Sequence, residues 1–150
     1  MQLNYKQFGS GFPLLILHGL LGSLDNWQTI AKKFSEKFTV YIIDQRNHGK
    51  SPHTEEFNYE LLAHDLLEFF QQHHIDKSHL LGHSMGGKTV MKFALEYPDK
   101  VAKLIVADIA PVAYEDKHNE VFAALFATDV KNAASREEVE KKLRDRLGNE

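Results

Sequence analysis

Short apolar runs alternate along the chain with longer segments in which apolar residues recur every three or four positions. Each run has four to six apolar or β-branched residues followed at once by His, Asp, Gly or Ser. The runs are PLLILHG (13–19), FTVYIIDQR (38–46), KLIVADIA (103–110) and a weaker one, SHLLGHS (78–84). Such runs are typical of strands that are buried on both faces of a parallel sheet.

The segments between the runs have helical spacing. NWQTIAKKFSEKF places Trp27, Ile30 and Phe34 on one face of a predicted helix, and YELLAHDLLEFFQQHH and MGGKTVMKFALEYP show the same spacing. The alternation of strands and helices predicts an α/β fold, with a mostly parallel sheet and helices on both of its faces. Ligands bind such sheets at the carboxyl ends of the strands. These ends read HGLLG, DQRNHG, GHSMGG and ADIAP.

After Pro111 the pattern changes to two predicted helices with no strand between or after them. The second of these helices begins with a capping-box pattern, Ser135 with Glu138. We therefore expect two parts: residues 1–111 as the N-terminal part of a sheet-based core, and residues 112–150 as the beginning of a helical cap.

The pentapeptide Gly82-His83-Ser84-Met85-Gly86 fits the pattern G-x-S-x-G, with a predicted strand before it and a predicted helix after it. This is the setting of a nucleophile elbow, in which a sharp turn lifts the serine hydroxyl above the sheet edge. The helix that begins at Met85 would also direct its free N–H groups toward the reaction centre. Two interpretations are open: Ser84 is a catalytic nucleophile, or it sits in a glycine-rich turn that only packs a helix on a sheet.

The loop HGLLGS at the end of the first buried strand is a candidate oxyanion loop. Acyl transfer needs two fixed donors for the tetrahedral oxyanion, one from the residue after the nucleophile and one from this loop. These donors would be the main-chain N–H groups of Met85 and Leu20. We interpret His18 as a residue that shapes the loop and not as a base; the alternative for the whole loop is an ordinary β-to-α turn.

Four motifs in this order, HGLLGSLDNW, DQRNHGKS, GHSMGGK and VADIAPV, resemble the α/β-hydrolase fold. Within that fold they are most similar to serine esterases, the small bacterial esterases of the YbfF type and related abhydrolase-domain proteins. The similarity runs from about Leu3 to Ala124. The resemblance implies that Ser84 is the nucleophile, that Leu20 and Met85 provide the oxyanion donors, and that Asp108 is the acid.

Asp108 also fits this role from its position alone. A carboxylate at the end of the neighbouring strand lies on the same sheet edge as Ser84, where it could orient a histidine and stabilise its imidazolium. The alternative is a cap before Ala110-Pro111. Asp44 ends another strand, and we interpret it as a capping and loop-organising residue.

Composition narrows the classes of partner. The formal net charge of −3 and the scattered basic residues give no reason to expect nucleic acid. The chain has no cysteine, which fits a reducing compartment, and no apolar run approaches the ~20 residues that span a bilayer. We expect a cytosolic protein with no membrane span, no metal and no cofactor.

The catalytic histidine of this fold follows the last strand, after the acid. Only His118 follows Asp108, and it lies in a charged stretch that opens a cap helix, so we expect the base to be absent from this sequence. The 150 residues alone should then be nearly inactive. We expect them to belong to a chain about 100 residues longer, with two more strand-helix units.

The function expected from these features is hydrolysis of carboxylic esters or thioesters through an acyl-enzyme on Ser84. In the predicted cap, Phe122, Leu125 and Phe126 offer an apolar wall, which favours an acyl chain over a sugar or a phosphate as substrate group. Two alternatives stay open. One is a carbon-carbon bond hydrolase or lyase on the same fold, and the other is a ligand-binding protein without catalysis.

Overall fold

The computed structural model describes residues 1–113, 119–129 and 132–147. The chain forms two compact units, Met1–Pro111 and Val112–Glu150. The first unit holds the sheet, and the second is helical wherever it has regular structure among the described residues. That the second unit is the beginning of a cap remains a prediction.

A single five-stranded sheet organises the first unit. Its strands are β1 (Tyr5–Phe8), β2 (Phe12–Leu17), β3 (Phe38–Ile43), β4 (Ser78–His83) and β5 (Val101–Ala107). They lie in the order β1-β3-β2-β4-β5, with β1 antiparallel to β3 and every other pair parallel. The predicted α/β fold with a mostly parallel sheet is confirmed.

Helices connect the parallel strands. They are α1 (Gln28–Phe34), α2 (Tyr59–Gln72) and α3 (Met85–Glu96), with short 3-10 helices at Leu24–Trp27 and Pro98–Lys100. The second unit contains α4 (Asn119–Phe126) and α5 (Arg136–Leu147). Within the described ranges, none of these helices is long and apolar enough to cross a lipid bilayer.

The core lies in two layers because successive strand residues face opposite sides of the sheet. Leu15 and Leu17 of β2 pack in one cluster with side chains of α2 and α3, such as Phe69 and Phe93. Leu14 and Ile16 belong to the cluster on the other face. Both faces of the sheet are therefore covered by helices, as the continuous apolar runs predict.

Helix α1 packs differently from the expectation. Its buried side chain is Ala31, whereas Ile30 and Phe34 of the predicted apolar face are exposed and Trp27 is only partly buried. The small side chain lets the helix lie close to the sheet, because a larger residue there would hold the two apart. The larger apolar residues are left at the surface, two of them beside the cavity described below.

A buried ion pair holds the loop after β3 against α2. The Arg46 guanidinium donates from Nε and Nη2 to the two carboxylate oxygens of Asp65, at 2.6 Å and 2.8 Å. This hydrogen bonding raises the pKa of Arg46. Since the geometry is bidentate, the pair fixes the direction in which the chain leaves the sheet edge.

In the second unit, the Ser135 hydroxyl accepts a hydrogen bond from the N–H of Glu138 at 3.3 Å, at the start of α5. The Glu138 carboxylate accepts from the N–H of Ala134 and not from that of Ser135, so only half of the predicted capping box forms as expected.

Candidate active site

Ser84 occupies a strained turn between β4 and α3. Its φ of 50° and ψ of −116° lie outside the helical and extended regions that ordinary residues adopt. Its N–H donates to the carbonyl oxygen of Ala107 at 2.9 Å, which continues the β4–β5 ladder to the turn itself. This is the strand-turn-helix geometry of a nucleophile elbow.

Two glycines let the elbow and the candidate oxyanion loop approach each other. A Cβ on Gly86 would lie 2.5 Å from the carbonyl oxygen of Leu17 and 2.6 Å from that of His18. A Cβ on Gly19 would lie 3.2 Å from the Cβ of Ser84. The first turn of α3 and the loop after β2 are therefore in direct contact around Ser84.

The candidate oxyanion loop is fixed by hydrogen bonds to one carbonyl group. The carbonyl oxygen of Gly19 accepts from the N–H of Gly22 at 3.0 Å and lies 2.8 Å from Nδ1 of His18. Because this carbonyl and the N–H of Leu20 share one planar trans peptide, both contacts also set the direction of the Leu20 N–H.

His18 is neutral and held in one tautomer. Burial lowers the pKa of its imidazole. Its Nε2 accepts from the N–H of Gln45 at 3.1 Å, so the proton is on Nδ1 and is donated to Gly19. With both ring nitrogens engaged in main-chain hydrogen bonds, His18 supports the loop and has no nitrogen left to act as a base.

Asp108 directly follows β5 and lies beside the elbow. Its φ of 58° is in the left-handed region, so the chain turns sharply here as it does at Ser84. The Asp108 side chain is 83% exposed, and one carboxylate oxygen lies 3.5 Å from Nε2 of His83. A carboxylate in this position is accessible to an imidazole that approaches from above the sheet edge.

A cavity of about 520 Å³ opens next to the loop. Its lining includes the apolar side chains of Leu20, Leu21, Trp27 and Ile30 together with the ring of His83. The Trp27 and His83 ring centroids are 6.2 Å apart. The cavity is of a size that accepts a small organic molecule, and its walls are mostly apolar.

Residues 13–146 match the family model described as the alpha/beta hydrolase fold. The chain belongs to the α/β-hydrolase family. The resemblance carried by the four sequence motifs is thereby confirmed.

Curated proteins and a solved structure that are similar to this chain agree with the family assignment. The chain is 46% identical to a putative esterase/lipase of Haemophilus influenzae over 87% of this chain and 47% of that protein. It is 39% identical to esterase YbfF of Escherichia coli, over 92% of this chain and 55% of the relative. A solved marine microorganism esterase matches with a TM-score of 0.92 and 47% identity, over 99% of this chain and 59% of that one. The chain thus spans about half the length of the curated relatives it matches.

The hydrolase core brings together four of the predicted site residues. Leu20, Ser84, Met85 and Asp108 all lie at the carboxyl ends of β2, β4 and β5, on one edge of the sheet. Their catalytic roles remain predictions. The predicted substrate-contacting residues Phe122, Leu125 and Phe126 lie in the second unit, where the Phe122 and Phe126 rings are 6.5 Å apart and Phe126 is 88% exposed.

Asp44 has the contacts of an organising residue. Its carboxylate accepts from the N–H of Leu24 at 2.7 Å, from the side-chain amide of Asn4 at 2.7 Å and from the N–H of Lys50 at 2.9 Å. These bonds hold three separate segments of the chain at the end of β3. They agree with the interpretation of Asp44 as a capping residue.

Among the residues that the structure describes, no histidine is hydrogen-bonded to the hydroxyl of Ser84 as a general base would be. His118 lies outside them. Elsewhere, His18 and His48 bond to main-chain groups, and His83 contacts Asp108. Within residues 1–113, 119–129 and 132–147 the site thus contains the candidate nucleophile, acid and oxyanion donors without an imidazole on the serine hydroxyl.

Two buried polar residues of the site were not found from the sequence. Gln45 and Thr89 hydrogen-bond to each other at 2.8 Å between the loop after β3 and helix α3. The one signal for Gln45 is its position just after the buried strand β3, which ends at the same edge of the sheet as the strand before Ser84. Thr89 gives a weaker signal, a polar residue one turn after Met85 on the buried side of α3.

Proposed function

We propose that the whole protein is a serine hydrolase that cleaves carboxylic esters or thioesters with an apolar acyl group. The observation that carries this proposal is the strained Ser84 at a strand-to-helix turn, packed against a loop whose peptide N–H is fixed by hydrogen bonds. The esterase names of the relatives support the same class of reaction.

In the first step, the hydroxyl oxygen of Ser84 attacks the acyl carbon and its proton passes to a histidine supplied by the whole protein. The carbonyl oxygen gains negative charge and accepts hydrogen bonds from the N–H groups of Leu20 and Met85. Because the first N–H groups of a helix have no intrahelical acceptor, the start of α3 is suited to this task.

Collapse of the tetrahedral intermediate breaks the bond to the leaving alcohol or thiol, which takes the proton from the histidine. Water then attacks the acyl-enzyme with the same histidine as base, and Ser84 is released with the carboxylic acid. Asp108 orients the histidine and stabilises its charged form. The exposed carboxylate beside the elbow supports this role.

The apolar character of the substrate rests on the cavity next to the loop. Leu20, Leu21, Trp27 and Ile30 provide apolar walls within reach of the elbow. An acyl chain gains about 0.8 kcal/mol for each methylene that leaves water for such a surface. We extend the proposal to Phe122, Leu125 and Phe126 as further apolar contacts of the acyl group in the whole protein.

The experiment is hydrolysis of p-nitrophenyl esters by the whole protein, with acyl chains of increasing length and an acyl-thioester in parallel. We expect turnover of both classes, and a kcat/KM that rises with chain length until the cavity is filled. Ser84→Ala should remove turnover while the thermal melting curve is unchanged. Turnover that survives in the Ser84→Ala variant, or a folded wild-type protein without turnover, would contradict the proposal.

A further inference from the structure

A buried carboxamide joins the two segments that carry the proposed oxyanion donors. The side chain of Gln45 is 2% exposed and lies between the loop after β2 and helix α3. Its Nε2 donates to the carbonyl oxygen of His18 at 2.7 Å, and its Oε1 accepts from the Thr89 hydroxyl at 2.8 Å. The carbonyl can only accept, so the orientation of the amide is fixed.

The hydrogen bond from Gln45 to His18 helps to fix the peptide group that carries the Leu20 N–H. Gln45 holds His18 at two points, the carbonyl oxygen through its side chain and Nε2 through its main-chain N–H. The other ring nitrogen of His18 then donates to the carbonyl of Gly19, which is in the same peptide group as the Leu20 N–H. A shift of His18 is therefore transmitted directly to the direction of that donor.

The hydrogen bond from Thr89 to Gln45 helps to fix the first turn of α3. Thr89 is 1% exposed, and its hydroxyl lies 2.8 Å from the Gln45 oxygen and 3.2 Å from the carbonyl oxygen of Met85. Thr89 is one helical turn beyond Met85, so a tie to its hydroxyl fixes the rotation and depth of the turn from which the Met85 N–H projects.

Gln45 lies outside both segments that it connects. Gln45 belongs to the segment after β3, and β3 is separated from β4 by β2. A side chain that reaches from there to both partners can set the distance between them. Hydrogen bonds in a buried site are directional and costly to leave unmade, which makes such a bridge stiff.

We propose that Gln45 is a positioning residue that sets the spacing of the two oxyanion donors through His18 on one side and Thr89 on the other. This inference rests on the proposed function, since it assigns Gln45 to the same reaction. Gln45 does not contact the substrate. It acts on the transition state alone, through the alignment of the Leu20 and Met85 N–H groups.

The test is Gln45→Met in the whole protein. Methionine keeps the length of the side chain without its hydrogen bonds, and the main-chain N–H bond to His18 Nε2 is retained because it does not depend on the side chain. We expect kcat for p-nitrophenyl butyrate to fall about tenfold to a hundredfold, since misaligned donors weaken transition-state binding. KM should stay within about threefold, because ground-state binding does not use these donors.

A second readout separates positioning from a general loss of structure. n-Butylboronic acid forms a tetrahedral adduct with a serine hydroxyl, so its inhibition constant should rise by about the same factor as kcat falls. Thr89→Val removes one arm of the bridge with little change in shape. It should give an intermediate loss of kcat, and it serves as the test if Gln45→Met does not fold.

The matched control is Asn47→Leu. Asn47 is half-buried in the same segment after β3, and its side-chain amide also makes one donor and one acceptor hydrogen bond, to the carbonyl oxygen of Thr54 at 3.0 Å and from the Thr54 N–H at 2.7 Å. We expect this variant to melt at a lower temperature while its kcat and boronate affinity are unchanged. It thus reports the loss of a bridging amide whose partners are not His18 or Thr89.

The outcomes distinguish the two proposals. A wild-type protein that hydrolyses the ester, with Gln45→Met equal to it in kcat and boronate affinity, would overturn the positioning role and leave the hydrolase proposal intact. Equal losses of kcat in Gln45→Met and Asn47→Leu would also overturn it. A folded wild-type protein without hydrolysis would overturn the hydrolase proposal and this inference together.

Discussion

The N–H of Ser84 donates a hydrogen bond of 2.9 Å to the carbonyl oxygen of Ala107, the last residue of β5. This bond aligns the ends of β4 and β5, so Asp108 emerges from the sheet beside Ser84. Both residues have φ values near +55°, at 50° and 58°. The candidate acid thus directly follows β5, the strand next to the one that leads to Ser84, and both residues have a positive φ.

Replacing Asp108 with Asn should strongly reduce catalysis without affecting folding. Loss of the carboxylate removes the group that orients the histidine in the proposed mechanism, and we expect kcat for a p-nitrophenyl ester to fall on the order of ten-thousandfold. The side chain is 83% exposed, so the melting temperature should not change. Asp99→Asn, at an exposed position of the 3-10 helix Pro98–Lys100, is the control. Near-normal turnover in Asp108→Asn would assign the acid to another residue.

Alanine at two glycines should separate activity from stability. A Cβ at Gly19 would lie 2.9 Å from a ring atom of His83 and 3.2 Å from the Cβ of Ser84. These side chains can shift to make room, but the shift displaces the candidate nucleophile. We expect Gly19→Ala to fold and to lose about tenfold or more in kcat.

A Cβ at Gly86 instead meets main-chain oxygens at 2.5 Å and 2.6 Å, which cannot move without displacing β2 from α3. Gly86→Ala should lose about 3 kcal/mol of stability or more. Thermal melting and ester hydrolysis measured on both variants check this contrast. The reverse order of stability would contradict the close packing of elbow and loop.

The buried pair of Arg46 and Asp65 should behave as a unit. Asp65→Leu leaves a buried guanidinium without its counter-charge and should lower the free energy of unfolding by about 3 to 5 kcal/mol. The double variant Arg46→Met with Asp65→Leu removes both charges and should recover most of that loss. Urea unfolding of the wild type, the single variants Asp65→Leu and Arg46→Met, and the double variant measures the coupling. Additive losses would show that the pair does not interact.

Stability should fall as pH is lowered below neutrality. Burial lowers the pKa of His18, His73 and His79 from the ordinary value of about 6.5. Below that value the unfolded chain takes up protons that the folded protein does not, so the free energy of unfolding decreases as pH falls from about 6.5 toward the folded-state values. Urea midpoints at pH 7.5 and 5.5 test this, and a midpoint that rises at pH 5.5 would contradict the sign.

The fold was largely predictable because the central strands are buried on both faces and read as continuous apolar runs. Strand β1 was missed since its Tyr5–Phe8 sequence is mostly exposed and lies at the sheet edge, where pairing with β3 depends on tertiary contacts. The packing of α1 through Ala31 was also not predictable from periodicity. A helix with large apolar residues on one face does not reveal which of its faces lies against the sheet.

Within the candidate site, positions at strand ends were predictable and hydrogen-bond partners were not. Ser84 and Asp108 follow from motif and strand order. The bridge through Gln45 depends on β2 lying between β3 and β4, a relation that appears only when the strands are arranged in the sheet. The tautomer of His18 likewise depends on a main-chain N–H that is 27 residues away in sequence.

The most direct test of a nucleophilic Ser84 is covalent labelling of the whole protein with a fluorophosphonate. The probe reacts with serine hydroxyls that are activated by a base and supported by oxyanion donors. We expect stoichiometric labelling that mass spectrometry assigns to Ser84, and no labelling of Ser84→Ala with the same melting temperature. A folded wild-type protein that stays unlabelled at Ser84, or that is labelled at another serine, would contradict the account.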